Sequence, residues 1–274
     1  MKRRHIGYAA LSVALVFALI LGTPRAGKAF EGIVHTKKVT ITSVPMMGEQ
    51  KRESEETVYY KPGYFKVLDP EAGTVTIVRL DKRLIWEIDQ NKKTYTELTF
   101  EQLAQLREQA TEALKNARKQ LQAQLEALPA DKRQMMEQML GQSTMNALAQ
   151  GKLEFTWKTT SEKQTINGFP CQKFIPLLNG QPIGEVWVTE RYNLGDDVAK
   201  YFDALGIFGE KSVANPPPFK GLPIKTVTDI QMGPSHTRSE SVVVKVEEKH
   251  ISDKEFELPP GLTKVDLEQM KPQK

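Results

Sequence analysis

The chain is short of the groups that most often carry chemistry. Cysteine occurs once, at Cys171, so no internal disulfide can form. In "GFPCQKF" it lies between Phe169 and Phe174 with no histidine beside it, which suits an inert, buried thiol. Histidine occurs four times. His5 sits at the extreme N-terminus, and His35, His236 and His250 are far apart, without HxxxH or HExxH spacing. No metal site and no cofactor is expected. There is no GxxxxGK and no GxGxxG to cradle a phosphate, and no GxSxG elbow around Ser235-His236. Glu247 and Glu248 are adjacent within a strand pattern, so they point to opposite faces and cannot act as a pair. Asp196-Asp197 suits the start of a helix. No catalytic residue is named, and the chain is not expected to be an enzyme.

Long hydrophobic runs are also scarce. The one present spans Ile6 to Gly22, after the basic "MKRR" and before Pro24 and "GKA". That order is an export signal, with cleavage expected between Ala29 and Phe30. A retained anchor is the competing reading, since a membrane span needs about 20 apolar residues. After cleavage no stable membrane span is expected. Residues 1–29 hold five of the 38 basic side chains and none of the 34 acidic ones, so the mature chain carries 33 against 34, a net charge of −1. A near-neutral surface gives no reason to attract nucleic acid.

What is present is a strand pattern broken by one helical block. "GIVHTKKVTITSV" is β-branched, "PMMGEQKRESEE" reads as a polar loop, and "ETVYYKPGYFKVLD" turns at Pro62-Gly63. In "VRLDKRLIWEIDQNKKTYTEL", Leu84, Trp86 and Ile88 alternate with Ile85, Glu87 and Asp89, giving short antiparallel strands with tight turns. At Thr99 the period changes. "TFEQ" is a capping box, and Leu103, Leu106, Ala110, Leu114, Ala117, Leu121, Leu125 and Leu128 form one stripe of a long helix ending at Pro129. A second helix starts in "PADKRQMMEQML", making residues 100–150 a helical hairpin inserted into one sheet. Strands resume at "KLEFTWK", with turns at Asn167-Gly168 and Asn179-Gly180. A shorter helix is expected from Asp196 or Asp197 to Phe208, then strands over Ile224–Ile230 and Arg238–Glu248. No internal repeat of fixed period is evident. The division is a signal over 1–29, one domain over 30–265 and a frayed tail over 266–274. The fold class is α+β: a curved antiparallel sheet, an incomplete half-open barrel, covered by helices.

The export signal, "VRLDKRLIWEIDQNKKTYTEL", "INGFPCQKF", "GEVWVTE" and the closing "ISDKEFELPPGL" together resemble the LolA/LolB superfamily of lipoprotein carriers. That superfamily includes the stress regulator RseB, and an uncharacterised secreted family within it is the nearer likeness. The resemblance implies a half-barrel with helices over its concave side, a periplasmic location, and acyl chains held between sheet and helices. The long insertion at Phe100 to Gln150 departs from the carriers.

Two functional readings follow. In the first, Met135, Met136 and Met139 form an adaptable lid over a cavity floored by Trp86, Trp157 and Trp187, with Phe202 beside them, and a lipid, lipoprotein acyl chain or other amphiphile is the ligand. In the second, those residues are ordinary core and the hairpin is a surface for an envelope protein, which makes the chain an interaction or sensor module.

Overall fold

The computed structural model describes residues 29–44, 48–126, 129, 155–200, 216–232 and 235–266. It shows one large, curved, unclosed and mainly antiparallel sheet with few helices. The strands are β1 (Gly32–Val44), β2 (Gly48–Lys61), β3 (Tyr64–Asp69), β4 (Thr74–Arg79), β5 (Leu84–Asp89) and β6 (Thr94–Thr99). After helix α1 (Phe100–Glu126) come β7 (Phe155–Ile166), β8 (Phe169–Leu178), the short β9 (Gln181–Pro182) and β10 (Gly184–Asn193). The last are β11 (Gly221–Met232), β12 (Ser235–Glu248) and β13 (Thr263–Lys264). Their order across the sheet is β13-β6-β5-β4-β3-β2-β1-β12-β11-β10-β8-β7, with β9 paired to β8.

The stretch read as a polar loop is instead most of β2, which pairs with β1 from Gly48 opposite Val44 to Tyr60 opposite Gly32. Its charges are matched across the pair: Lys37 meets Glu55 and Lys38 meets Glu56, each at 3.3 Å. Cross-strand partners of opposite charge make a polar segment a good strand, and no local pattern reveals them.

Strands β3 to β6 follow a spatial period of ten. Each has six residues and each turn four, so the strands begin at Tyr64, Thr74, Leu84 and Thr94. Gly63, Gly73, Arg83 and Lys93 precede them, all with positive φ (85°, 66°, 53° and 54°). The same closing bond recurs: Leu80 N–H to Gly63 O, Gln90 N–H to Gly73 O and Phe100 N–H to Arg83 O, at 2.9–3.0 Å. The repeat is one of geometry that no sequence repeat accompanies. The turns share a geometry but not a sequence, because a left-handed residue can be Gly, Arg or Lys when the turn is held by its other bonds.

Sequence neighbours go to opposite faces. Val34, Tyr60 and Phe65 join Trp187, Tyr192, Ile224 and Val243 on the first face. Ile33, Tyr59 and Tyr64 join Val75, Ile77, Trp86 and Ile88 on the second. The first-face group is bridged by rings: Phe30 stacks on Tyr60 at 5.7 Å and tilts against Tyr192 at 4.9 Å, and Tyr60 meets Phe65 edge-on at 5.0 Å. Cys171 is buried there, and burial pushes its thiol pKa up, as an inert thiol requires.

One buried link crosses this face. The Tyr60 hydroxyl donates to Leu194 O at 2.9 Å and to Asp197 Oδ2 at 3.0 Å, and the Gly63 N–H donates to the same carboxylate oxygen at 2.6 Å. The β2–β3 turn is thus tied to the segment after β10. Asp197 is a tether rather than a simple cap, and helical residues run from it to Lys200.

Among the described residues, the second face of β3–β6 is covered by the C-terminal segment. Ile251, Phe256, Leu258 and Leu262 pack onto it, and Phe256 is fully buried. At α1 the capping box is present: Gln102 N–H donates to Thr99 Oγ1 at 3.1 Å, and Thr99 N–H to Gln102 Oε1 at 2.9 Å. Leu103 is half-buried, but Leu106 is 44% exposed. The second helix of the hairpin, the end of the Asp197 helix, the signal up to residue 28 and the tail from 267 lie outside the described residues. No helix among the described residues is long and apolar enough to cross a membrane.

Tyr60→Phe is expected to destabilise the protein by about 1–3 kcal/mol in urea unfolding, because it strips a donor from a buried carboxylate. Phe256→Ala should cost about 3–5 kcal/mol in the same measurement.

Candidate functional site

The C-terminal segment does more than cover the sheet. Ser252 caps a single 3-10 turn, Asp253–Phe256, by accepting the Lys254 N–H. Lys61 pairs with Asp253, and Lys66 with Glu255 at 2.9 Å. Arg79, held by both oxygens of Asp81 at 2.8 and 2.9 Å, donates to Phe256 O at 3.4 Å and lies 4.8 Å over the Tyr64 ring. Further on, Thr263 N–H donates to Lys93 O at 3.0 Å and Val265 N–H to Tyr95 O at 2.9 Å, placing β13 parallel to β6. Glu97 accepts from Lys264 at 2.8 Å and from the Trp86 indole at 2.8 Å, and Lys264 is the main reason its carboxyl pKa is lowered.

Between these two anchorages run Pro259, Pro260 and Gly261. Proline has no N–H to give a sheet edge, so this stretch stands off the strands. Beneath it lies a cavity of about 360 Å³. Leu68, Val75, Ile77 and Ile88 form its floor, and Pro259, Pro260 and Leu262 its roof. Lys66, Gln90 and Lys93 stand on the rim. The floor comes from one face of three neighbouring strands, which is why the alternation in "VRLDKRLIWEIDQ" and its neighbours makes it continuous.

A second cavity, of about 290 Å³, is polar and adjoins Ala29. Phe30 is buried beside it and donates its N–H to Asn193 O at 2.8 Å, while His250 pairs with Glu31 at 2.9 Å. The bond at which cleavage is expected therefore abuts the first-face core.

The three tryptophans named from sequence are not gathered in one place. Trp86 belongs to the second-face group under the C-terminal segment. Trp187 belongs to the first-face group and donates to Glu185 at 3.1 Å. Trp157 packs with Phe174, Val186, Val188 and Phe219 at the far wing, and its buried indole N–H has no partner among the described residues. Met135, Met136, Met139 and Phe202 lie outside the described residues. The cavity under Pro259-Pro260 was missed because it needs a contact between segments almost 200 residues apart. The one local signal for it is the Pro-Pro-Gly run itself.

Each described histidine pairs with its own carboxylate: His35 with Glu247 at 3.1 Å, His236 with Asp229 at 2.6 Å and His250 with Glu31. Among the described residues no three His, Cys, Asp or Glu side chains converge as a metal site would need. Lys245, then His35, holds the Glu247 carboxyl down at about 2. Glu87 is the contrary case. It faces the opposite side from the 360 Å³ cavity, in a row with Thr76 and Thr96. The Thr76 hydroxyl donates to it at 2.9 Å, Thr96 Oγ1 is buried without a partner among the described residues, and burial pushes the Glu87 pKa up.

No family model matches the sequence, and no curated protein does. Solved structures do. One is an uncharacterized conserved protein from Thermus thermophilus, with 9% identity and a TM-score of 0.39 over 85% of this chain and 90% of that one. Another is the LolA superfamily protein NE2245 from Nitrosomonas europaea, with 9% identity and a TM-score of 0.29 over 83% of this chain and 91% of that one. A third is MucB, solved in complex with MucA(peri), with 8% identity and a TM-score of 0.32; it aligns with 85% of this chain, which spans 57% of the MucB chain. LolA-superfamily and MucB proteins stand among the structural neighbours.

Because its folded pKa is raised, Glu87 binds its proton more tightly in the native state, so its ionised form destabilises at neutral pH and the penalty fades as pH falls through the folded value. Glu87→Gln, which keeps the bond from Thr76, should raise the unfolding midpoint in urea at pH 7, with the gain shrinking on acidification.

Proposed function

We propose that the protein is an exported, non-catalytic binding protein of the bacterial envelope whose ligand is a lipid or another amphiphile. The observation that carries this reading is the apolar 360 Å³ cavity under the C-terminal segment, within the size range of small-ligand sites. Its walls are aliphatic side chains that gain by leaving water, and its open rim is polar, so a molecule with an apolar body and a polar end matches both parts. The export signal and the superfamily resemblance support a periplasmic location.

A second reading takes α1 as a partner surface. It is favoured by Leu106, 44% exposed on the stripe the sequence defines. The chain would then serve an envelope protein rather than a lipid.

Native mass spectrometry of protein purified from its own host, together with binding of the uncharged dye N-phenyl-1-naphthylamine, tests the choice. Amphiphile binding predicts a co-purifying lipid, and dye binding that Leu68→Trp or Leu262→Trp weakens at least tenfold by filling the cavity. Absence of lipid, with no dye binding that either variant alters, rejects it. In the partner-surface reading both variants retain their partner.

A further inference from the structure

The rim of the cavity under Pro259-Pro260 is not electrically neutral. Lys66 Nζ is held at 2.9 Å by Glu255 and lies 5.2 Å over the Tyr59 ring, so its position is fixed and its charge is shared. Lys93 differs. It sits at the left-handed end of the β5–β6 turn, its backbone carbonyl is spent on Thr263, and its ammonium meets no carboxylate among the described residues. The other basic residue of that turn, Lys92, is already paired with Asp89 at 3.0 Å. Gln90 adds an uncharged amide to the same rim. No acidic side chain lines the cavity among the described residues, and the Glu255 carboxylate beside it is already bound to Lys66.

We infer that the site selects a single-chain amphiphile with an anionic head, a carboxylate or a phosphate monoester, whose chain lies on Val75, Ile77 and Ile88 and whose head meets Lys93. This rests on the reading of the cavity as an amphiphile site and adds the chemistry of the head. A volume near the lower end of ligand sites suits one chain rather than two. An apolar floor with a cation at its mouth that no described carboxylate neutralises complements that ligand class, and it opposes a cationic head by like-charge contact. The stretch Pro259–Leu262 forms the roof, so the ligand and the chain's own segment share one floor.

The test uses the full-length protein with bound N-phenyl-1-naphthylamine, displaced by dodecanoate, dodecyl phosphate, dodecanol, dodecyltrimethylammonium or inorganic phosphate, all below micellar concentration. The two anionic amphiphiles are expected to displace the dye about fivefold more tightly than dodecanol, the scale of one partly exposed charge pair, with dodecyltrimethylammonium weakest. Lys93→Glu, an exposed substitution that leaves the floor intact, should invert that order, and raised salt should shrink it. Comparison of dodecanoate with dodecyl phosphate assigns the head. Equal displacement by all four amphiphiles, or an order unchanged by Lys93→Glu, overturns the anionic head while the cavity remains an amphiphile site. Dye release by inorganic phosphate alone overturns it too, because the chain would then be irrelevant. Failure of the dye to bind at all removes both readings.

Discussion

A buried carboxylate holds the two wings of the sheet in register. Asp197 follows β10, while Tyr60 lies near the end of β2 and Gly63 in the β2–β3 turn, with β1, β12 and β11 between them in strand order. A charge withdrawn from water costs several kcal/mol unless its lone pairs are satisfied. Here a phenol and a backbone amide bond Oδ2 while Lys200 stands 3.5 Å from Oδ1, and the positive φ of Gly63 lets that amide point at the acid. The phenol in turn packs between Phe30 and Phe65. Burial and the adjacent Asp197 charge keep the Tyr60 proton in place. A sheet of thirteen strands bends instead of lying flat because its first face is drawn together around these rings.

That constraint also decides which face has room. On the first face the aromatic groups of opposite wings interdigitate, and the Asn167 amide reaches across to Val243 O at 2.9 Å. The second face turns outward on each wing, so its apolar groups divide into one under Phe256 and another around Phe174 and Phe219. Each then needs a separate cover. The C-terminal segment covers the first of them by side-chain anchors at Ile251 and Phe256 and by backbone pairing at Thr263, leaving a hollow where two prolines forbid pairing.

Local signals were legible and distant ones were not. The Thr99–Gln102 box, the alternation around Trp86 and the turns at Asn167-Gly168 and Asn179-Gly180 depend on residues within a few positions of one another, and all are present. The strand character of Gly48–Glu56 depends on Lys37 and Lys38 across a hairpin, so its charges read as a loop. The ten-residue meander was hidden because Gly73, Arg83 and Lys93 do one conformational job with three side chains. The three tryptophans carry equal strand signals, yet strand order sends them to three apolar groups, which no pattern along the chain encodes. For the candidate site, the floor residues were readable as an oily face, but their roof was not, since "ELPPGL" resembles any chain end.

The roof segment also has a second role that links binding to the stability of the sheet. β6 is the last long strand of its wing, and β13 shields its edge at Thr94 and Tyr95. Exposed edges invite pairing with other chains. The residues that shield this edge are continuous with Pro259, Pro260 and Leu262, so in the proposed reading a ligand packed against the roof would also hold the edge guard down. Conversely, loosening β13 would open the cavity to water. Two anchored ends and an unpaired middle make a segment that can lift over the hollow while Phe256 stays buried, because Arg79 and the 3-10 turn hold that end independently of the β6 pairing. In the proposed reading, entry of a ligand would leave the apolar group beneath Phe256 intact.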